Sequence, residues 1–208
     1  WSGFIWARAE SGVQDIGQFD KTEPIFAGKS ASCMVKRKVF WEVGGFDESF
    51  GILGEESDLA WRIWLKDHEV YYVPDSVTYH AFNTKFKPVN KFYTDERIYF
   101  NGCRNYLHML LKNAPWYMLA VALPAQLFAW LSAAVGHTLV GRYKASLLIL
   151  RGIGAVCYRL PSILWQRKEV RSDIRVSELY MLSTILRNPP LSYYLNRLQS
   201  YIIRGTHG

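Results

Sequence analysis

The spacing of apolar and polar positions divides the chain into two unlike parts. Residues 1–27 mix glycines with polar spacers and show little periodicity, which predicts loop with one short strand. Residues 29–36 carry Ala31, Cys33, Met34 and Val35, small and apolar enough to predict a buried strand. Residues 37–43 place Val39, Phe40 and Val43 on one side of a two-turn helix. Gly44-Gly45 ends it, because glycine tolerates the positive φ of a helix C-terminus. From Glu55 to about Asp67, Leu59, Ile63 and one edge of Trp64 recur at helical spacing. Residues 70–73 and 77–80 predict two short strands separated by Pro74-Asp75.

The character changes near residue 90. Residues 97–111 are periodic as a helix, with Ile98, Leu107, Leu110 and Leu111 among the apolar positions. Residues 113–141 then contain no Lys, Arg, Asp or Glu, longer than the ~18–20 residues a membrane span requires. Pro115, Pro124 and Gln126 interrupt that run, and Trp116, Tyr117 and Trp130 suit an interface. A single crossing would put the basic segment that follows on the far side of the membrane, against the positive-inside tendency. Two alternatives avoid this: a hairpin bent at Pro124, or pairing with residues 145–165, which carry Arg151 and Arg159. The favoured reading is a membrane-surface helical region with basic residues facing lipid phosphates; an unusually apolar soluble helix pair is the alternative.

Charge sharpens the division. The formal net charge is +7, yet eleven Lys and Arg against three acids follow Gly141, so the first 140 residues are close to neutral. A neutral part joined to a basic one predicts an anionic membrane surface as partner. Nucleic acid is not expected, because the basic residues alternate with runs such as Leu147-Leu148-Ile149-Leu150 and no recognition motif is present. Cys33, Cys103 and Cys157 are odd in number and widely spaced, which excludes a disulfide framework and a zinc site and fits a reducing compartment. The 208 residues divide into 1–92 and 93–208, and a chain beginning at Trp1 predicts an upstream part.

The candidate chemistry lies in residues 43–48 and 54–62. A Gly-Gly bend carries Phe46 and Asp47, and Glu55, Glu56 and Asp58 fall in the first turn of the next helix. The helix dipole and free N–H groups favour carboxylates there. Asp58 has Arg62 four residues on and Lys66 four further, an ordinary structural stripe. Glu55 and Glu56 have only Leu59 and Ala60 at those positions, so two unpaired acids sit beside a Gly-Gly bend.

Phe26-Ala27-Gly28-Lys29-Ser30-Ala31-Ser32-Cys33-Met34-Val35-Lys36-Arg37, then Val43-Gly44-Gly45-Phe46-Asp47-Glu48, Glu55-Glu56-Ser57-Asp58-Leu59-Ala60-Trp61-Arg62, Tyr72-Val73-Pro74-Asp75 and His80 form an ordered set. It resembles the acceptor-side half of family 2 inverting glycosyltransferases, the rhamnosyltransferase-like members of the GT-A fold. The resemblance implies an α/β fold, the C-terminal part of a GT-A domain, followed by a mostly helical, membrane-associated tail. It implies that the second acid of the pair, Glu56, is the general base, with Glu55 or Asp58 able to share the role. The family's pair is usually Glu-Asp; Glu-Glu adds one methylene here. Gly44, Gly45, Phe46 and Asp47 match the acceptor loop, where Phe46 would stack on a sugar face and Asp47 hold a hydroxyl. Trp61 and Arg62 adjoin it as further acceptor contacts. His80 matches a histidine that completes the shell of a divalent metal, Mg or Mn, held mainly by an Asp-X-Asp motif. That motif is absent, since Asp15 and Asp20 are not spaced for it, so the chain is expected to be a fragment lacking the nucleotide-binding half. The implied activity is sugar transfer from a nucleotide-sugar donor to a lipid-linked or polysaccharide acceptor of the cell envelope, at the cytoplasmic face of the cell membrane. A non-catalytic membrane scaffold with a degenerate domain is the alternative.

Overall fold

A computed structural model describes residues 3, 5, 8, 13–79, 96–186 and 188–190. Strand β1 (Glu23–Pro24) and helix α1 (Arg37–Glu42) precede α2 (Glu55–Leu65) and β2 (Tyr71–Tyr72). A π-helical turn, Glu96–Asn101, runs directly into α3 (Gly102–Asn113). The helices α4 (Trp116–Leu139), α5 (Tyr143–Tyr158) and α6 (Leu160–Arg171) follow, then a short α7 (Glu178–Tyr180). The two strands pair antiparallel, Glu23 opposite Tyr72 and Pro24 opposite Tyr71. The expected α/β character is therefore confined, among the described residues, to one two-stranded sheet in a mostly helical molecule.

Several local expectations hold. α1 ends where Gly44 N and Gly45 N donate to the Trp41 and Phe40 carbonyls, at 3.1 and 2.8 Å, with both glycines at positive φ. Val35, Val39, Phe40 and Val43 then pack on Leu59 and Ile63 of α2. Others fail for identifiable reasons. Residues 29–36 form a 3₁₀ turn at Ser30–Ser32 and not a buried strand, and Met34 is exposed. Gly28-Lys29-Ser30 has too little apolar surface to bury. Residues 77–79 are exposed and unpaired as a strand, and position 80 lies outside the described residues.

α4 continues through Pro124 as one helix, so the hairpin that was one alternative there does not form. By length and composition it could cross a membrane, although only a third of its most apolar part is buried. The chain breaks instead after Tyr158, where α5 and α6 meet at 63°. Residues 145–165 are thus two helices with a bend between them, a broken span if they cross at all.

The core ignores the expected boundary at residue 92. Phe50, Trp61, Trp64 and Leu65 pack with Met109 and Leu110 of α3 and Met118, Leu119 and Ala122 of α4. A second cluster joins Tyr99, Cys103 and Leu107 to Trp130, Ala133 and Ala134 of α4 and to Leu148 and Ile149 of α5. α5 crosses α3 at Gly152, where an added Cβ would lie 3.0 Å from the Phe100 carbonyl. Only glycine lets the backbones approach that closely.

Candidate active site

The loop between α1 and α2 is held from above by α3. Asn105, buried, donates through Nδ2 to the carbonyls of Phe50, Ile52 and Leu53 at 2.9, 2.9 and 2.7 Å. Arg104 adds bonds to the Ser49 and Phe50 carbonyls. A loop that turns through positive φ at Leu53 and Gly54 exposes its carbonyls, and these donors satisfy them. The result fixes where α2 begins, and so where Glu55 and Glu56 project.

Asp58 is fully buried and enclosed. Arg62 Nε donates to its Oδ2 at 3.0 Å, Lys112 Nζ at 2.9 Å, and Asn113 Nδ2 to its Oδ1 at 2.8 Å. The Arg62 pairing follows the i,i+4 expectation. Lys66 leaves that stripe and bonds Asp173 at 2.8 Å. Lys112 is itself 3% exposed and also reaches Asp47 Oδ2 at 2.7 Å. Asp47 takes a further bond from Gln166 Nε2 at 3.2 Å. Burial alone would raise the Asp47 carboxyl, but the Lys112 ammonium and the hydroxyl and N–H of Ser49 hold it far below the usual carboxylate range. Gln166 Oε1 accepts from His108 Nε2 at 2.7 Å, and the His108 ring stacks on Phe50 at 4.9 Å. Burial, with Lys112 adding to it, lowers the His108 pKa and keeps the imidazole neutral.

This network separates the expected site residues. Arg62 is not at an acceptor surface: it is buried on Asp58 and the Val43 carbonyl. Trp61, 1% exposed, packs edge-on against Phe26 at 5.5 Å, because its position on α2 faces the core. Asp58 and Asp47 are occupied by Lys112. Phe46 remains 44% exposed, with its edge on Phe40 at 5.6 Å, beside the Gly44-Gly45 bend. Position 80 is outside the described residues, so the structure does not locate His80.

Glu55 and Glu56 are left. Both are half-buried at the start of α2, and neither takes part in an ion pair among the described residues. Glu55 Oε2 is buried without a hydrogen-bond partner. Burial first, and then the adjacent Glu56 carboxylate, raise the Glu55 pKa; its own N–H and that of Leu53 oppose the shift. Glu56 also faces Cys33, whose thiol is pushed up by partial burial and by that carboxylate. Two neighbouring carboxylates whose environments differ can divide proton transfer between them. Among the described residues, no three His, Cys, Asp or Glu side chains assemble to hold a metal.

The pattern of the family described as glycosyltransferase like family 2 matches residues 9–123, just over half of the chain. The chain belongs to that family. Within this glycosyltransferase-like family 2 domain lie every loop and helix that positions Glu55 and Glu56, including Asn105 and Lys112. A relative, N-acetylgalactosaminyltransferase 6 of Drosophila melanogaster, is 38% identical over 60 residues. That stretch is 28% of this chain and 9% of the relative, so the chain spans less than a tenth of the relative's length. No solved structure matches.

The sequence patterns above left the role of α3 open. Its residues Asn105, His108 and Lys112 lie at helical spacing on one buried face. A polar stripe within an apolar helix was the available signal. What it binds lies fifty and more residues away and has no local trace.

Proposed function

We propose that the protein is an inverting glycosyltransferase, with Glu56 as general base. The observation that carries this is the pair Glu55–Glu56, half-open and outside every ion pair of the described residues, while Asp47 and Asp58 around it are neutralised. In the reaction, Glu56 takes the proton of an acceptor hydroxyl as that oxygen attacks the anomeric carbon. The bond from that carbon to the leaving nucleotide breaks on the opposite face, and its electron pair departs with the diphosphate. Burial raises the Glu55 pKa and the Glu56 carboxylate adds to the shift, so ionising Glu55 beside Glu56 is disfavoured. Phe46 provides an apolar face for a sugar ring beside them.

The donor is a nucleotide-sugar and the acceptor a lipid-linked or polysaccharide chain, with transfer at the cytoplasmic face of the cell membrane. The divalent Mg or Mn proposed for the diphosphate has no assembled ligand set among the described residues, and no step here is routed through it. In the full-length protein, Glu56→Gln should lower transfer by about 10²–10⁴-fold while leaving donor binding unchanged. Transfer at wild-type rate in the variant would remove Glu56 from the role, whereas no transfer by the wild-type protein would favour the scaffold reading.

A further inference from the structure

The outward-facing residues of α4 include Tyr117, Ala120, Val121, Pro124, Phe128, Leu131, Val135 and Leu139, with Thr138 the polar exception. At 100° per residue they lie on one stripe, running the length of the helix for roughly 33 Å. Phe128 is 75% exposed and Val135 59%. The antiparallel neighbour α5 continues the surface with Tyr143, Leu147, Leu150 and Tyr158. Lys144 and Arg151 lie along one edge of that second stripe, both exposed. Both helices pack on α3 with their opposite sides. A continuous apolar strip two helices wide is more than a soluble monomer ordinarily exposes.

Two of the basic residues further on, Arg167 and Arg171, do not face outward as expected, while Lys168 and Arg175 are exposed. Arg167 is buried, donates to the Leu111 and Ala114 carbonyls at 2.8 and 2.6 Å, and lies over the Trp116 ring. Arg171 donates to the Asn113 carbonyl and pairs with Glu178. These guanidinium groups close the C-terminal end of α3, where unpaired carbonyls accumulate. They are not available to lipid phosphates. On α4 and α5 the outward surface is the apolar strip with its Lys144–Arg151 edge.

We propose that this α4–α5 face lies flat in the headgroup region of an anionic bilayer, without crossing it. The occupant is argued from chemistry. Trp116 and Tyr117 at one end of α4, and Tyr143 beyond the other, are the residue types that settle at a membrane interface. The basic edge complements anionic headgroups, in the arrangement of an amphipathic surface helix. The inner side of α4 argues against a crossing. Gln126 is buried on the Gly3 carbonyl at 3.0 Å, His137 is buried against Tyr99, and α3 beneath carries the Asp58–Lys112 network. Crossing would carry those groups into hydrocarbon.

The proposal deepens the membrane-surface part of the preceding reading and is independent of the transfer chemistry. Flotation of the full-length protein with vesicles of phosphatidylcholine plus phosphatidylglycerol, and of phosphatidylcholine alone, tests it. Wild type should float with the mixed vesicles and be released by alkaline carbonate. Phe128→Asp/Val135→Asp, at exposed positions and with an unchanged circular dichroism spectrum and melting curve, should lower partition about tenfold or more. Lys144→Glu/Arg151→Glu should lower it on the anionic vesicles alone. Resistance to carbonate would overturn the flat placement in favour of a span. Variants that float like wild type would overturn this face and leave membrane association standing. Wild type that floats with neither vesicle would overturn both, and a dimer dissociated by Phe128→Asp would assign the face to a second copy.

Discussion

At the scale of single residues, neighbouring carboxylates on one helix turn meet different fates. Asp58 is three residues from Glu55 and fully buried, yet Arg62, Lys112 and Asn113 supply donors to both its oxygens. Glu55 is less buried but has an oxygen with no donor and a carboxylate beside it. Its raised pKa has a defined consequence for stability. The native state binds the Glu55 proton more tightly than the unfolded chain does, so its contribution is favourable below the unfolded pKa, about 4.3. It is lost as pH rises through the higher native value, above which the ionised side chain is penalised by its burial and by Glu56. Glu55→Gln should therefore raise the melting temperature at pH 7, and the gain should close as pH falls toward about 4. Thermal unfolding across that range measures it; a constant difference at all pH values would mean that charge is not the cause.

At the scale of elements, the decisive contact is between α3 and the loop ahead of α2. Asn105 donates to three carbonyls, those of Phe50, Ile52 and Leu53, and shares the first with Arg104. Asn105→Leu keeps the volume and removes the donors, leaving buried acceptors unpaired at a cost of about 1–3 kcal/mol. The loss should be local: faster amide exchange in residues 50–56, reported by hydrogen-exchange mass spectrometry, with α4 and α5 unchanged. Exchange accelerating equally throughout would make Asn105 a general core residue. This pairing also marks what the sequence made legible. α1, its Gly44-Gly45 stop and the α2 acids were visible because each is dictated by neighbours within four residues. The Asp58–Arg62 pair was visible for the same reason. What Lys112, Asn105 and Gln166 bind was not, since a buried polar side chain advertises a need without naming what meets it. Arg167 and Arg171 show the same limit in reverse. Their charge suggested lipid, but the carbonyls at the end of α3 outcompete it.

At the scale of the molecule, the acid pair and the apolar helices are built on the same core. A division at residue 92 suits the change in hydropathy, but Trp61, Trp64 and Leu65 of α2 share one cluster with α3, α4 and residues 181–186 as well as with Phe26 and Val70. Lys112 adds a polar tie across the same line, to Asp47 and Asp58. Residues 1–92 alone would expose that aromatic side and leave Asp58 without two of its donors. The sheet within them, two residues per strand, cannot compensate, because so short a ladder is marginal in water. The fragment should therefore lack a cooperative thermal transition and show a collapsed amide-proton spectrum. Residues 1–190, which retain α3 through α7, should unfold in one step at the temperature of the whole chain. A well-dispersed, cooperatively melting 1–92 fragment would mean that the acid-bearing half carries its own core.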